Sequence, residues 1–197
     1  MVGEEDIKCS KKCANSTLFS VICFFRQGNC LVNTFLLNPF VPGGWGENTI
    51  VQNWDAIHSG RSRVHDISKL HISVNVWLGD ELLEVFPCHI VTIALADRIE
   101  RYSLSGVEFE EMEVTNIQEE VPGLQFDPLP SFRRLRALGK AVIVEDGDTK
   151  FITEWSGHDF CLTASARLVV SEKALRIIEK HNMENCGVIP LDASLLK

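Results

Sequence analysis

Hydrophobic and polar positions alternate cleanly between His71 and Leu78, where Ile72, Val74, Val76 and Leu78 share one face and His71, Ser73 and Asn75 the other. A period of two marks a half-buried strand. Upstream, Leu18 to Phe25 is an unbroken apolar run, suited to a strand covered on both faces. Between them, NPFVPGGWGEN carries Pro39, Pro42, Gly43, Gly44 and Gly46, and so predicts a loop with neither ladder nor helix.

From Phe86 onward the period changes. Ile90 and Val91 close a short strand, Thr92 is placed to cap a helix, and Leu95, Ile99 and Tyr102 form its apolar stripe. Gly106 ends that helix and Val107 to Val114 returns to strand. The parity of Val107 and Phe109 differs from that of Met112 and Val114, so Glu110-Glu111 marks a bulge or break. The same succession recurs near the C-terminus: Leu168 to Val170 as strand, Ser171 as cap, Ala174, Leu175 and Ile178 as stripe, then Val188 to Leu191 as strand. With Thr92 set on Ser171, Ile99 falls on Ile178, Leu104 on Met183, Gly106 on Asn185 and Phe109 on Val188, without a gap. The pattern predicts a strand–helix–strand unit used twice, at about residues 88–114 and 166–191.

Between these units, PLPSFRRLRALGK predicts a short helix with Phe132, Leu135 and Leu138 inward and Gly139 as its stop. AVIVEDGDTKFITEW reads as a hairpin turning at Asp146-Gly147. The expected class is α+β, a mixed or antiparallel sheet with a few short helices. Residues 1–197 form a single domain in this reading, with 1–17 as a loose N-terminal arm.

Composition narrows the function. A chain of 197 residues can bury a core without metal or disulfide staples. Its formal charge of −8 argues against a nucleic-acid binder, which needs a basic face to displace counterions, and suits a basic protein partner. Seven cysteines form no regular secreted framework. The N-terminal set Cys9, Cys13, Cys23 and Cys30 lacks zinc-knuckle spacing and nearby histidines, so neither metal nor cofactor is expected. The apolar segment Ser16 to Phe25 has no small-x-small cleavage site after it and is too short to cross a bilayer, which makes the cytoplasm the expected compartment and a membrane role unexpected.

Three places carry candidate chemistry. In TEWSGHDFC, His158, Asp159 and Cys161 resemble a thiol site, but neighbouring side chains of a strand diverge and Cys161 sits among apolar residues. The better reading is a turn in which Trp155 packs on the core, Gly157 takes an unusual backbone conformation and Asp159 binds backbone amides, with Ser171 capping the next helix. The polar stretch from Asp55 to His71, with His58, His65 and Asp66, fits no metal-ligand spacing, yet remains the alternative site for an enzyme or small-ligand binder. Finally, Glu108, Glu110, Glu111, Glu113, Glu119, Glu120 and Asp127 occur between Tyr102 and Phe132 with no Lys or Arg among them. They form either a solvated strand face or an acidic surface for a basic partner.

The pieces Trp155-x-Gly157-x-Asp159-Phe160, LVVSEKAL (168–175) and Val188-Ile189-Pro190-Leu191 together resemble the immunity proteins of bacterial polymorphic toxin and contact-dependent systems. LSGVEFEEMEV resembles an earlier element of that group, so the resemblance spans about Phe86 to Leu191. The paired C-x-x-C-G knuckles of one branch are missing. The resemblance implies a non-enzymatic protein that binds and neutralises a cognate toxin. The first six glutamates, Glu108 to Glu120, are the expected contact.

Overall fold

The computed structural model describes residues 33–117 and 128–196. The arm of residues 1–17, the strand expected at Leu18 to Phe25, Cys9, Cys13, Cys23, Cys30, Glu119, Glu120 and Asp127 lie outside the described residues. The first part runs through β1 (Thr34–Asn38), β2 (Gly43–Trp45), β3 (Ile50–Val51), α1 (Trp54–His58), β4 (Ile67–Lys69), β5 (His71–Val74), β6 (Leu82–Val85), β7 (Cys88–Thr92), α2 (Ile93–Arg101), β8 (Val107–Glu110) and β9 (Glu113–Asn116). The second comprises β10 (Phe132–Ala137), β11 (Gly139–Asp146), β12 (Thr149–Trp155), β13 (Phe160–Leu162), β14 (Leu168–Ser171), α3 (Glu172–Ile178) and β15 (Gly187–Leu191). The class is α+β, sheet-rich with short helices.

One sheet has the order β12-β11-β13-β14-β1-β15, antiparallel apart from β11–β13. Its end strands meet: Phe151 bridges Asp192, the Ile152 amide donates to the Asp192 carbonyl (2.9 Å), and the Asp192 amide donates to Lys150 (2.9 Å). The sheet thus closes into a small barrel. Each of its six strands sends one buried side chain into a shared cluster: Leu36, Ala141, Ile152, Cys161, Val169 and Leu191. The sheets β6-β7-β10-β8 and β2-β5-β9 wrap a second cluster that includes Ile72, Val74, Leu83, Val85, Ile90 and Phe132. A Phe40–Leu83 bridge and the Glu84 amide, which donates to the Phe40 carbonyl (3.0 Å), tie β6 to the segment just before β2.

Between the two clusters lies a third, in which the helices meet. Leu95, Ala96 and Ile99 of α2 pack with Ala174, Leu175, Ile177 and Ile178 of α3, over Val91, Leu135, Phe160, Leu168 and Val170 of the sheets. Each fully buried Leu or Ile here contributes about 1.5–3 kcal/mol of transfer free energy. Both helices begin on a capped hydroxyl: Thr92 Oγ1 accepts from the Leu95 amide (3.2 Å) and Ser171 Oγ from the Ala174 amide (3.1 Å).

The structure departs from the sequence expectations at five places. Residues 132–137 form strand β10, not a helix: Phe132 faces one cluster and Leu135 the other, as a period of two requires, while Leu138 is 47% exposed. The Phe132-Leu135-Leu138 spacing fits a helix as well as it fits this strand, and pairing with both β7 and β8 decides it. The predicted loop at 39–46 contains β2, paired with β5, because Gly43 presents no side chain to the Ser73 carbonyl that it passes. Strand β5 ends at Val74, leaving Val76 and Leu78 exposed. The α2 stripe ends at Ile99, with Tyr102 exposed beneath the Arg98 guanidinium (5.6 Å). The hairpin turns at Gly147-Asp148, one residue later than expected, since Asp146 still pairs with Thr149.

Candidate partner-binding face

Strand β8 is an end strand of its sheet and carries Glu108 and Glu110 alternating with Val107 and Phe109. Its neighbour β10 sets Arg134 opposite Glu110 and Arg136 opposite Glu108. Glu110 is consequently bound twice, to Arg134 Nη1 (3.1 Å) and Arg136 Nη1 (2.7 Å), and Arg134 also donates to the Ile67 carbonyl (2.6 Å). The hydrogen bond that Arg136 donates to Glu110 holds its guanidinium above its usual pKa. Glu111 lies 3.6 Å from Arg133, and Glu113 takes Lys69 Nζ (2.6 Å) and Asn48 Nδ2 (2.9 Å). The Lys69 and Asn48 contacts keep the Glu113 carboxyl below the ordinary range.

This pairing corrects the picture of a continuous acidic face. Three arginines of β10, just past the cation-free window, together with Lys69 neutralise Glu110, Glu111 and Glu113. Reading Phe132-Arg133-Arg134-Leu135-Arg136 as a strand beside β8 would have revealed the compensation. Among the described residues, Glu108 and Glu100 have no ion-pair partner within 4.0 Å.

Those two carboxylates border an open cavity of about 430 Å³ between the end of α2 and β8, lined by Glu100, Ser103, Leu104, Val107, Glu108 and Phe109. Two left-handed residues shape the connection beneath it, Ser103 (φ 49°) and Gly106 (φ 75°). The lining combines an apolar floor of Leu104, Val107 and Phe109 with two exposed acids. A long basic side chain suits such a place, its methylenes on the apolar surface and its cation beside the carboxylates.

The Trp155–Ser171 motif sits elsewhere and does not assemble a thiol site. Trp155 Nε1 donates to the His158 carbonyl (3.0 Å), Gly157 has φ 83°, and the His158 side chain is exposed. Asp159 Oδ2 accepts from the Ser105 amide (2.8 Å) and hydroxyl (3.0 Å), and Oδ1 accepts from Ser171 Oγ (2.6 Å), with Lys173 Nζ 3.5 Å away. Burial opposes its charge, but the Ser105 and Ser171 bonds and Lys173 outweigh that and hold its pKa low. Cys161 is fully buried in the barrel, its Sγ 3.5 Å from the His158 carbonyl.

The Asp55–His71 stretch divides in the structure. His71 turns into the fold, accepting from the Asn48 amide at Nδ1 (3.1 Å) and meeting Thr115 Oγ1 at Nε2 (2.8 Å). His65 instead stands edge-on to Trp45 (4.9 Å) and Trp54 (5.3 Å), and exposed His58 stacks on Trp54 (5.7 Å). Among the described residues no group of three or more His, Cys, Asp or Glu could hold a metal ion. Nor is any described helix long and apolar enough to cross a membrane.

No family model matches the chain, and no curated protein matches it.

Proposed function

We propose that this chain is an immunity-type protein that binds and blocks a basic bacterial toxin in the cytoplasm. The observation that carries the reading is the cavity beside β8, whose apolar floor is bordered by two carboxylates, Glu100 and Glu108, that have no ion-pair partner among the described residues. It is supported by the resemblance of residues 86–191 to immunity proteins. Desolvating a carboxylate against a lysine or arginine of the partner gives specificity and a fast, salt-sensitive association. Glu110 and Glu113 are engaged within the chain and serve folding in this reading; among the described glutamates of the acidic stretch, Glu108 is left to meet a partner.

The toxin is sought in the adjacent reading frame, whose C-terminal domain is co-purified with this chain. Converting both Glu100→Lys and Glu108→Lys is expected to weaken that complex by about tenfold to a hundredfold, and to leave the thermal midpoint unchanged. Full affinity in the double variant would remove this face from the interface; a neighbouring product that does not bind would remove the toxin reading itself.

The two strand–helix–strand segments at about 88–114 and 166–191 belong to the same proposal as two copies of one unit. A second functional reading, a small-ligand site on residues 55–71, draws on the exposed Trp54–His58 stack and on His65 Nδ1, which is buried with no partner among the described residues. Ligand-dependent quenching of Trp54 fluorescence, lost in Trp54→Phe, would favour it.

A further inference from the structure

The pairings of the two halves agree well beyond the helices and their caps. Strand β10 enters its sheet with Phe132 opposite Thr92, and β1 enters its own with Thr34 opposite Ser171. The residue before each strand holds the first turn of a helix: Ser131 O accepts from the Ile93 amide (3.0 Å), and Asn33 O from the Glu172 amide (2.9 Å). On the other side, Arg136 lies opposite Glu108 and Asn38 opposite Gly187. Further along, the Glu113 amide binds Leu70 O (3.0 Å) as the Asp192 amide binds Lys150 O (2.9 Å). In each of these matches the residue from the Thr92–Glu113 segment keeps the gapless alignment that sets Thr92 on Ser171, and only its partner lies outside it.

Two carboxylates occupy equivalent places as well. Glu81 O accepts from the Thr92 amide (3.0 Å) and its Oε2 from Thr92 Oγ1 (2.7 Å); Asp159 O accepts from the Ser171 amide (3.0 Å) and its Oδ1 from Ser171 Oγ (2.6 Å). Each then reaches the loop that follows the other half's helix. Asp159 takes the Ser105 amide and hydroxyl after α2, while Glu81 meets His181 Nδ1 (2.9 Å) and the Asn182 amide (3.5 Å) after α3.

We infer that the chain is two copies of one unit that exchange their first strands and are latched to each other by Glu81 and Asp159. The first copy comprises β1, β2, β5–β8 and α2, the second β10–β15 and α3. By order in the chain β1 belongs to the first copy, yet it completes the sheet of the second between β14 and β15; β10 does the reverse between β7 and β8. The excursion β3-α1-β4 stands where the second copy has the Gly147-Asp148 turn. Neither copy can close its sheet alone. The carboxylates add a second coupling, since each fixes the start of one helix and the end of the other with the same side chain. This holds whether or not the chain binds a toxin.

Hydrogen exchange of the full chain in rising urea tests both parts. Peptides from residues 33–117 and 128–196 are expected to lose protection at one common midpoint. Ser105→Ala in the first copy and Asp159→Asn in the second should each move both sets of peptides together, raising the unfolding equilibrium constant by about tenfold. In the double variant Ser105→Ala should cost less than it does alone, because its hydroxyl's bond to the Asp159 carboxylate (3.0 Å) is already altered there, while the bond it accepts from the Asp159 backbone amide (3.0 Å) is lost in either background. Separate midpoints for the copies would overturn the strand exchange. Additive effects of Ser105→Ala and Asp159→Asn would overturn the latch.

Discussion

Gly106→Ala is expected to lower stability by about 2–4 kcal/mol, a fall in Tm on the order of 10 °C. Gly106 has φ 75°, where a side chain is strained whatever the space around it. There is also little space: a Cβ there would come within 2.5 Å of His158 Cβ and 2.7 Å of the Phe160 carbonyl. The backbone cannot give way easily, because the Gly106 carbonyl accepts from Leu138 (2.8 Å) and the Ser105 carbonyl accepts from Phe160 (3.1 Å). Thermal denaturation of the variant checks this. A shift of less than about 1 kcal/mol would mean that the α2–β8 connection is not clamped against residues 158–160 as described.

Asp159→Ala is the second large effect expected, about 3–5 kcal/mol. It strips partners from the Ser105 amide, the Ser105 hydroxyl and Ser171 Oγ, and leaves Lys173 without its carboxylate. Asp159→Asn keeps the shape and should cost less. Both variants also report on acid. The folded-state pKa of Asp159 lies below its ordinary value of 3.8, so its contribution is complete above that value and is lost as the pH falls through the depressed folded value. Glu81 behaves alike relative to 4.5: burial opposes its charge, and Thr92, His181 and Asn182 together outweigh burial. In urea titrations from about pH 7 to about pH 3, the stability gap between the wild type and Asp159→Asn should narrow only at the acid end. A gap that stays constant throughout would show that the carboxylate charge plays no part.

Local signals were legible and distant pairings were not. Thr92 and Ser171 each precede an apolar stripe, and a hydroxyl there is a capping signature confined to a few residues. The parity change at Glu110-Glu111 likewise reported the break between β8 and β9. Strand β10 was hidden because Phe132, Leu135 and Leu138 suit two periods, and the residues that settle the matter, Thr92 and Glu110, are remote in sequence. The same remoteness hid the neutralisation of Glu110, Glu111 and Glu113: their cations sit on β10 and β4, elements recognisable only once the sheets are assembled. The cavity beside β8 had no signal of its own, since it is made by two left-handed residues, and Ser103 is not a residue that announces one.

The placement of β1 also bears on how the chain comes to be folded. On the ribosome Thr34–Asn38 emerges well before both of its neighbours, Leu168–Ser171 and Gly187–Leu191. An apolar segment with unsatisfied edges must therefore wait until β14 and β15 have been made, and closing so long a loop is slow. During that interval the nascent chain exposes a strand edge able to pair with its neighbours on a polysome. Yield in the cell should depend on holdase chaperones more steeply than the stability of the finished fold would suggest.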